Sequence, residues 1–398
     1  MVRFSDHFIK HERLILFFLM VYLINPFGYG NYSFFLLFSL LLFDKLLGKY
    51  FDKNSLILLA FSLTYVAIIY QYQGVYNVGN SNMIVYLIAP IMMYEVGKFF
   101  QNKYCNGNSF YKITFIILIM FSFIAFVSIA LDIYQVGFKG SRNIILLNYD
   151  SSVKKSATLI NSMISPFLAL FGTLFIPAKL MERDYKKVYL LFSIIALLFS
   201  IRLGSRTGLI IFILSFILNY LFFIRFISTK KKVICTVLFL ILSFVAFNVS
   251  IKGNSDLFYS YQDRLESDEY GSATAGGRTK LWSVGIENLV KYPMGAVVYD
   301  RDLSYSHNFW LDIGRVAGVI PMFFMLVFCI KMLYVLYKLV KIRSISLYKR
   351  SVFLSLNIAF LSIFLVEPIL EAYFAFLSVY FFFSGLMYAM YKQSKKNA

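Results

Sequence analysis

The chain has 398 residues, of which 60% are hydrophobic and only 15% are charged. Its mean hydropathy of +0.71 is too high for a soluble domain of this length. The charged residues are grouped between long apolar runs, and about 20 apolar residues make one helical span. The composition therefore excludes a soluble protein and predicts an all-α polytopic membrane protein.

Twelve apolar runs are predicted to be transmembrane helices. In chain order they are 14–27, 31–47, 55–70, 83–100, 112–134, 157–178, 188–203, 206–224, 233–250, 316–338, 350–367 and 372–391. Basic residues precede the first run, as in a signal peptide. No small-x-small cleavage site follows it, so we interpret it as an uncleaved first helix.

Lysine and arginine are distributed unevenly over the predicted loops. If the N-terminus is cytoplasmic, the inner segments hold 26 of the 39 basic residues and 7 of the 20 acidic ones. The outer segments then carry 13 of each, so the whole net charge of +19 is cytoplasmic. The positive-inside rule therefore predicts cytoplasmic N- and C-termini. Because the basic charge follows topology, it gives no support for nucleic-acid binding.

Two predicted outer segments are long, although the chain as a whole, residues 1–398, is predicted to be a single integral membrane domain. The first outer segment is 135–156, and the second, 251–315, is the only one that resembles a soluble subdomain. Apolar residues at helical spacing predict a helix over 278–291, which "KYPMG" ends. We expect this helix to lie on or near the membrane surface.

Neither a metal site nor an extracytoplasmic disulfide is predicted. The cysteines Cys105, Cys235 and Cys329 all fall on inner loops or within spans, and no Cys/His spacing suits a metal. Asp300 and Asp302 in "YDRD" imitate the DxD motif of metal-dependent glycosyltransferases. That motif requires a nucleotide sugar on a soluble domain, and no third ligand is evident. We therefore expect no metal and no cofactor.

Arg202 and Arg206 flank the outer turn between the seventh and eighth predicted spans. Arginine at that depth is costly unless it is paired or functional. One interpretation is that the two arginines snorkel to lipid headgroups or pair with Glu367 or Glu371 near the last outer turn. The other is that a guanidinium fork binds phosphate, for which a polyprenyl diphosphate lipid is the obvious source at an outer membrane face.

His307 is the only histidine on the predicted outer side, because His7 and His11 lie in the N-terminal segment. An imidazole titrates near neutral pH, so His307 is a candidate general base or acceptor for a sugar hydroxyl. The alternative is a histidine that caps the next helix. Arg278 follows a glycine pair that lets backbone approach an anion closely, but it could equally be a solvated loop cation.

Four stretches carry a resemblance to a known family: "GSR" at the end of a span, "GGRTKLW", "KYPMG", and "SHNFWLDIGRVAG" leading into a span. In this order, with a large late outer loop, they make the chain resemble the O-antigen polymerase and O-antigen ligase superfamily. The topology matches along nearly the whole chain, whereas the residue match is confined to these stretches. The resemblance implies the C-type glycosyltransferase architecture (GT-C), related to the SEDS peptidoglycan polymerases.

The same resemblance implies the chemistry and its residues. Family members transfer glycans from undecaprenyl diphosphate without a metal or a nucleotide sugar. Arg206 matches the span-end arginine, Arg278 the loop arginine and His307 the histidine of the "HN" element, so these three are the predicted catalytic residues. Apart from what the resemblance implies, the residues predicted to contact diphosphate or sugar are Arg202, by its proximity to Arg206, and Arg142, Arg315, Asn308, Glu367 and Glu371. For Arg315 an interfacial anchor, and for the two glutamates a structural pairing, stays open.

The predicted function is polymerisation of undecaprenyl-diphosphate-linked repeat units of an O-antigen or another surface polysaccharide, with inversion, at the outer face of the bacterial inner membrane. Expected partners are the lipid-linked donor and acceptor, membrane lipid, a chain-length regulator protein and a flippase. A ligase that transfers the glycan to lipid A core differs only in its acceptor and stays open. A flippase or exporter of lipid-linked sugar would not need the large loop with its arginines and histidine.

Overall fold

The computed structural model describes most of the chain outside the long predicted outer loops. The described residues are 5–25, 30–43, 51–72, 80–104, 109–139, 144–145, 158–159, 165–180, 185–223, 226, 229, 233, 237, 278–295, 306–372 and 374–396. Apart from one antiparallel pair of two-residue strands, β1 (Ile144–Ile145) and β2 (Thr158–Leu159), the regular structure in these ranges is helical.

The described helices follow the predicted apolar runs in order. In the first half they are α1 (Ser5–Ile24), α2 (Gly30–Phe43), α3 (Lys53–Gln71), α4 (Asn80–Tyr104), α5 (Ser109–Val136), α6 (Ser165–Gly172), α7 (Phe175–Leu180), α8 (Tyr185–Arg202) and α9 (Arg206–Phe223). In the second half they are α10 (Arg278–Lys291), α11 (Phe309–Ala317), α12 (Val319–Lys341), α13 (Leu347–Val366), α14 (Ile369–Ala372) and α15 (Phe374–Lys396).

Seven helices in the described ranges are long and apolar enough to cross a membrane. They lie within α3, α4, α5, α9, α12, α13 and α15, and shorter apolar helices occur at Arg13–Ile24, Gly30–Leu42 and Ser165–Ala178. The prediction of an all-α polytopic membrane protein is confirmed at this level.

Two predicted spans have different boundaries in the structure. Within 157–178, residues 158 and 159 form β2, and the described helix begins at Ser165. The run that starts at 316 begins inside α11, and Gly318, at φ 80°, separates α11 from α12. Both errors have one cause, because hydropathy does not detect a strand pairing or a break imposed by a close glycine contact. Most of the predicted span 233–250 lies outside the described residues.

The break at Gly318 comes from a glycine pair. A side-chain carbon on Gly295 would lie 2.5 Å from the Gly318 nitrogen, and one on Gly318 would lie 2.4 Å from the Pro293 oxygen. Val319 N–H donates to the same Pro293 oxygen at 2.8 Å. The segment after α10 is therefore fastened directly to the start of α12, which places the "KYPMG" turn against this helix.

The helices α9 and α13 are antiparallel neighbours joined by a buried polar ladder. Asn219 donates to Ser355 at 2.8 Å, Ser351 donates to Asn219 at 2.6 Å, and the Ser215 and Ser355 hydroxyls lie 3.2 Å apart. From this ladder, the start of α9 and the end of α13 are each about 20 Å away in the same direction, at 1.5 Å per residue. Arg206 and Glu367 therefore lie at the same end of the bundle.

Candidate functional site at one end of the bundle

The turn "LGSR" ends one helix and places a half-buried arginine at the start of α9. Gly204 ends α8 with φ 62°, a conformation that glycine adopts without strain. Ser205 then caps α9, because its hydroxyl accepts the Gly208 N–H at 3.2 Å. Arg206 is consequently the first residue of the new helix, where the helix dipole favours an anion.

Arg202 differs from Arg206, although only three residues separate them. Its side chain is 0% exposed, and its guanidinium contacts Asp132 at 2.6 Å and the Gly137 carbonyl at 2.9 Å. The carboxylate partner that the structure describes is thus Asp132, near the end of α5. This bond ties the α8–α9 turn to α5. Arg202 thus has a structural ion pair, whereas the sequence analysis predicted only a contact with diphosphate.

The helices α10 and α11 form a tightly docked pair. Gly285 of α10 lies against Ser306 and Leu311, and Gly314 of α11 lies against Leu289, so that a side chain at either glycine would crowd its neighbour. The helix predicted over 278–291 is confirmed with these bounds, and α10 ends before "YPMG". The docking brings Arg278, the first residue of α10, close to the loop that precedes α11.

That loop contains His307 in an unusual backbone conformation. His307 has φ 49°, which is uncommon for a residue with a side chain. The Asn308 side chain caps α11 by accepting the N–H groups of Trp310 and Leu311, and its amide donates to the Leu365 carbonyl at 3.1 Å. The loop is therefore anchored both to its own helix and to the end of α13.

Arg278 and Glu367 form an ion pair beside this loop. The guanidinium lies 3.3 Å from the Glu367 carboxylate, and the two side chains are 19% and 1% exposed. Glu367 follows the last residue of α13, and the Phe309 ring stacks on Phe364 with centroids 4.4 Å apart. The starts of α10 and α11 and the end of α13 thus meet, and we name Arg278, His307, Asn308 and Glu367 the arginine–histidine cluster.

The position of His307 in this cluster sets its protonation. Burial lowers the pKa of His307 below the ordinary value of 6.5, and the positive charge of Arg278 lowers it further. Both causes favour the neutral imidazole, which is the form that can accept a proton. Within the described part of the chain, Nδ1 of His307 is buried and has no hydrogen-bond partner.

The other predicted binding residues are distributed as follows. Arg315 lies in α11 with its Nε 4.0 Å from Asp312, and Asn308 belongs to the cluster as described. Glu371 lies in α14 just beyond Glu367, and nothing further is described of its side chain. Arg142, like Asp300 and Asp302, lies outside the described residues.

No group of three or more His, Cys, Asp or Glu side chains suited to a metal occurs in the ranges that the structure describes. Cys329 is a free, buried thiol in α12. The cluster instead combines one guanidinium, one carboxylate and one imidazole, together with an amide. Such a set binds anions and hydroxyl groups and transfers protons.

The sequence analysis did not identify two acidic residues of this region as candidates. Asp132 pairs with Arg202, and Asp312 accepts the Ser306 N–H at 2.8 Å while only 1% exposed. Burial raises the pKa of Asp312, and hydrogen bonding and Arg315 oppose this. An acid near the predicted outer end of an apolar helix was a usable signal for Asp132. The Asp312 contact depends on the loop conformation and left no signal in the pattern.

The sequence was compared with protein-family models and with curated proteins, and neither comparison found a match.

Proposed function

We propose that this protein is a metal-independent glycosyltransferase that polymerises undecaprenyl-diphosphate-linked repeat units of an O-antigen or another surface polysaccharide. The observation that carries the proposal is the arginine–histidine cluster, in which a partly exposed arginine, an imidazole biased toward its neutral form and a buried carboxylate converge. An anionic leaving group and a hydroxyl nucleophile require such a combination. The resemblance in the stretches around these residues points to the same chemistry.

The charge at this end of the bundle favours a diphosphate. Arg278 and Arg206 each begin a helix, so the backbone N–H groups and the dipole of that helix add to the guanidinium. The Arg278 contact of 3.3 Å to Glu367 leaves the guanidinium 19% exposed. We propose that the substrate diphosphate contacts Arg278 and Arg206 and competes with Glu367 for the former.

In the proposed reaction, the growing glycan on undecaprenyl diphosphate is the donor. A hydroxyl of a new lipid-linked repeat unit attacks the anomeric carbon, and the bond from that carbon to the diphosphate oxygen breaks. His307 accepts the hydroxyl proton, while the arginines stabilise the charge that develops on the departing diphosphate. A single displacement inverts the anomeric carbon. Because diphosphate is a good leaving group, orientation and electrostatics suffice.

The finer architecture belongs to the same proposal. Twelve spans in the GT-C arrangement, with both termini in the cytoplasm, place the arginine–histidine cluster at the outer face of the inner membrane, where lipid-linked repeat units are presented. The supporting argument is the distribution of lysine and arginine. A flippase and a chain-length regulator are the partners that this placement implies.

The surface polysaccharide of a strain lacking the protein tests the proposal. A polymerase defect leaves single repeat units on the lipid A core, whereas a ligase defect leaves complete glycan on the lipid carrier. A flippase defect leaves repeat units inside the cell. The proposal requires the first result, and either of the others contradicts it.

With purified protein and lipid-linked repeat units, we expect His307→Ala to lose on the order of 10²–10⁴-fold in rate, because proton transfer by a positioned base contributes that much. Glu287→Gln is the matched control, since Glu287 is an exposed residue of the docked α10. The wild-type activity should persist in EDTA. Inactivation by EDTA that is reversed by Mg²⁺ would redirect attention to Asp300 and Asp302.

A further inference from the structure

Asp312 lies in the first turn of α11, and its surroundings are unusual for an acid at a helix start. Carboxylates near helix N-termini stabilise the helix dipole from the surface. Asp312 is instead 1% exposed, and its Oδ1 accepts the N–H of Ser306, which lies outside the helix. Desolvating a carboxylate is costly, and Arg315, with its Nε 4.0 Å from Oδ1, offsets part of that cost. The bond to a backbone N–H outside the helix calls for a further explanation.

The residue next to Ser306 supplies that explanation. His307 holds φ 49°, a conformation that persists in a residue with a side chain only where neighbouring contacts enforce it. Asp312 fixes the backbone on the N-terminal side of His307. Asn308 fixes it on the C-terminal side through the cap of α11 and the bond to Leu365. His307 is thus clamped between two side chains.

We propose that Asp312 is the positioning residue of His307: by accepting the Ser306 N–H, it holds the loop in the conformation that presents the imidazole to Arg278 and the substrate. The kinetic consequence of this inference rests on the proposed function, whereas the positioning of His307 by Asp312 does not. Asp312 touches no reacting atom in this account and acts through the backbone before His307, while its Oδ1 also lies 4.0 Å from Arg315 Nε.

The kinetic test compares Asp312→Ala, which removes the acceptor, with Asp312→Asn, which keeps an oxygen at the same place. We expect Asp312→Ala to lower kcat by about 10²-fold or more, approaching His307→Ala, with KM within about threefold. Asp312→Asn should stay within about tenfold of wild type, because only the charge assistance of the bond is lost. Equal losses in both variants, or a near-normal Asp312→Ala, would overturn the inference.

A second measurement does not depend on turnover. Diethylpyrocarbonate modifies neutral imidazoles, and peptide mass spectrometry of the purified, substrate-free protein resolves its rate at His307. We expect Asp312→Ala to change that rate at least about threefold, since the loop leaves a conformation that only its surroundings enforce. His7 and His11 serve as internal references. Asp312→Asn should react as wild type does, and an unchanged rate at His307 in Asp312→Ala would contradict the inference.

The two measurements separate the failure of this inference from that of the proposed function. If His307→Ala still makes normal polymer, the proposed function is wrong, whereas the modification rate still decides whether Asp312 positions the histidine. If Asp312→Ala does not accumulate in the membrane, the activity of Asp312→Asn and the modification rate of its His307 decide whether the inference holds. Activity and His307 reactivity near those of wild type support the clamp, and losses like those of His307→Ala contradict it.

Discussion

Two arginine ion pairs occupy the same end of the bundle, and they differ in a way that separates structure from function. Arg202 is 0% exposed and contacts Asp132 at 2.6 Å, with a further bond to the Gly137 carbonyl. Arg278 is 19% exposed and contacts Glu367 at 3.3 Å. The first pair joins the α8–α9 turn to α5, and the second lies beside His307 in the arginine–histidine cluster.

The comparison shows that an arginine in an apolar chain is not by itself a sign of substrate binding. A buried guanidinium with a short carboxylate contact has its charge already compensated, and exchanging that partner for a substrate would give up the 2.6 Å contact with the half-buried Asp132. A partly exposed guanidinium with a longer contact can exchange its partner at less cost. This difference supports the proposal that the diphosphate contacts Arg278, and it favours a structural role for Arg202.

Among single substitutions in the two ion pairs, Arg278→Ala has the largest expected effect on turnover. Removing a charge-stabilising donor from the transition state costs about 10²–10³-fold in kcat. We expect a loss of this size in an assay with purified protein, and no visible polymer in cells that contain a normal amount of the variant. If Arg278→Ala still makes a normal amount of polymer, Arg278 is not part of the active site, and the functional role of the Arg278–Glu367 pair is wrong.

Lysine in place of Arg278 or Arg206 is expected to have a smaller effect than alanine at position 278. Arg278→Lys and Arg206→Lys keep a positive charge but lose the bidentate fork, so we expect losses of about tenfold in kcat/KM for the lipid diphosphate. The measurement is a titration of the lipid-linked donor for each variant. Full activity in Arg206→Lys would mean that simple charge is sufficient there.

The all-α, membrane-spanning character was predictable from the sequence because long apolar runs report on the membrane directly. The α10 helix was predictable from its spacing, and "GSR" indicated a turn with an arginine. The pairing of Arg202 with Asp132 and of Arg278 with Glu367 was not predictable, because each pair joins residues more than 65 positions apart. The break at Gly318 and the strained His307 likewise depend on contacts between α10, α11 and α13.

Breaking the Arg202–Asp132 pair should lower the amount of folded protein and leave the turnover per folded molecule nearly unchanged. Arg202→Ala leaves the half-buried Asp132 without its guanidinium, and we expect this to cost less than breaking a fully buried pair, which costs about 3–5 kcal/mol. We expect a clear decrease in the amount of folded protein in the membrane, measured by quantitative immunoblotting and thermal unfolding. Turnover per folded molecule should stay within about threefold of wild type. A normal amount of protein with no turnover would instead place Arg202 in the site.

The smallest expected effect is a shift of the pH profile. The neutral form of His307 is the active base, so activity falls as the pH decreases through its pKa, which burial and Arg278 hold below 6.5. Arg278→Gln removes the positive charge, so the midpoint of this acidic limb should move to higher pH, whereas Arg278→Lys should leave it in place. The measurement is the pH dependence of kcat/KM in the three proteins. If the midpoint does not change with the charge at position 278, Arg278 does not influence the pKa of His307.

Deleting each ion pair as a pair tests the central claim most directly. Replacing both members of a buried pair with apolar residues of similar size is often neutral for stability, so folding and chemistry can be distinguished. The variants are Arg202→Met with Asp132→Leu, and Arg278→Met with Glu367→Leu, each assayed for polymer per folded molecule. We predict polymer within about threefold of wild type for the first double variant, and none for the second although it accumulates normally. Loss of polymer in a well-folded first variant, or normal polymer in the second, would contradict the account.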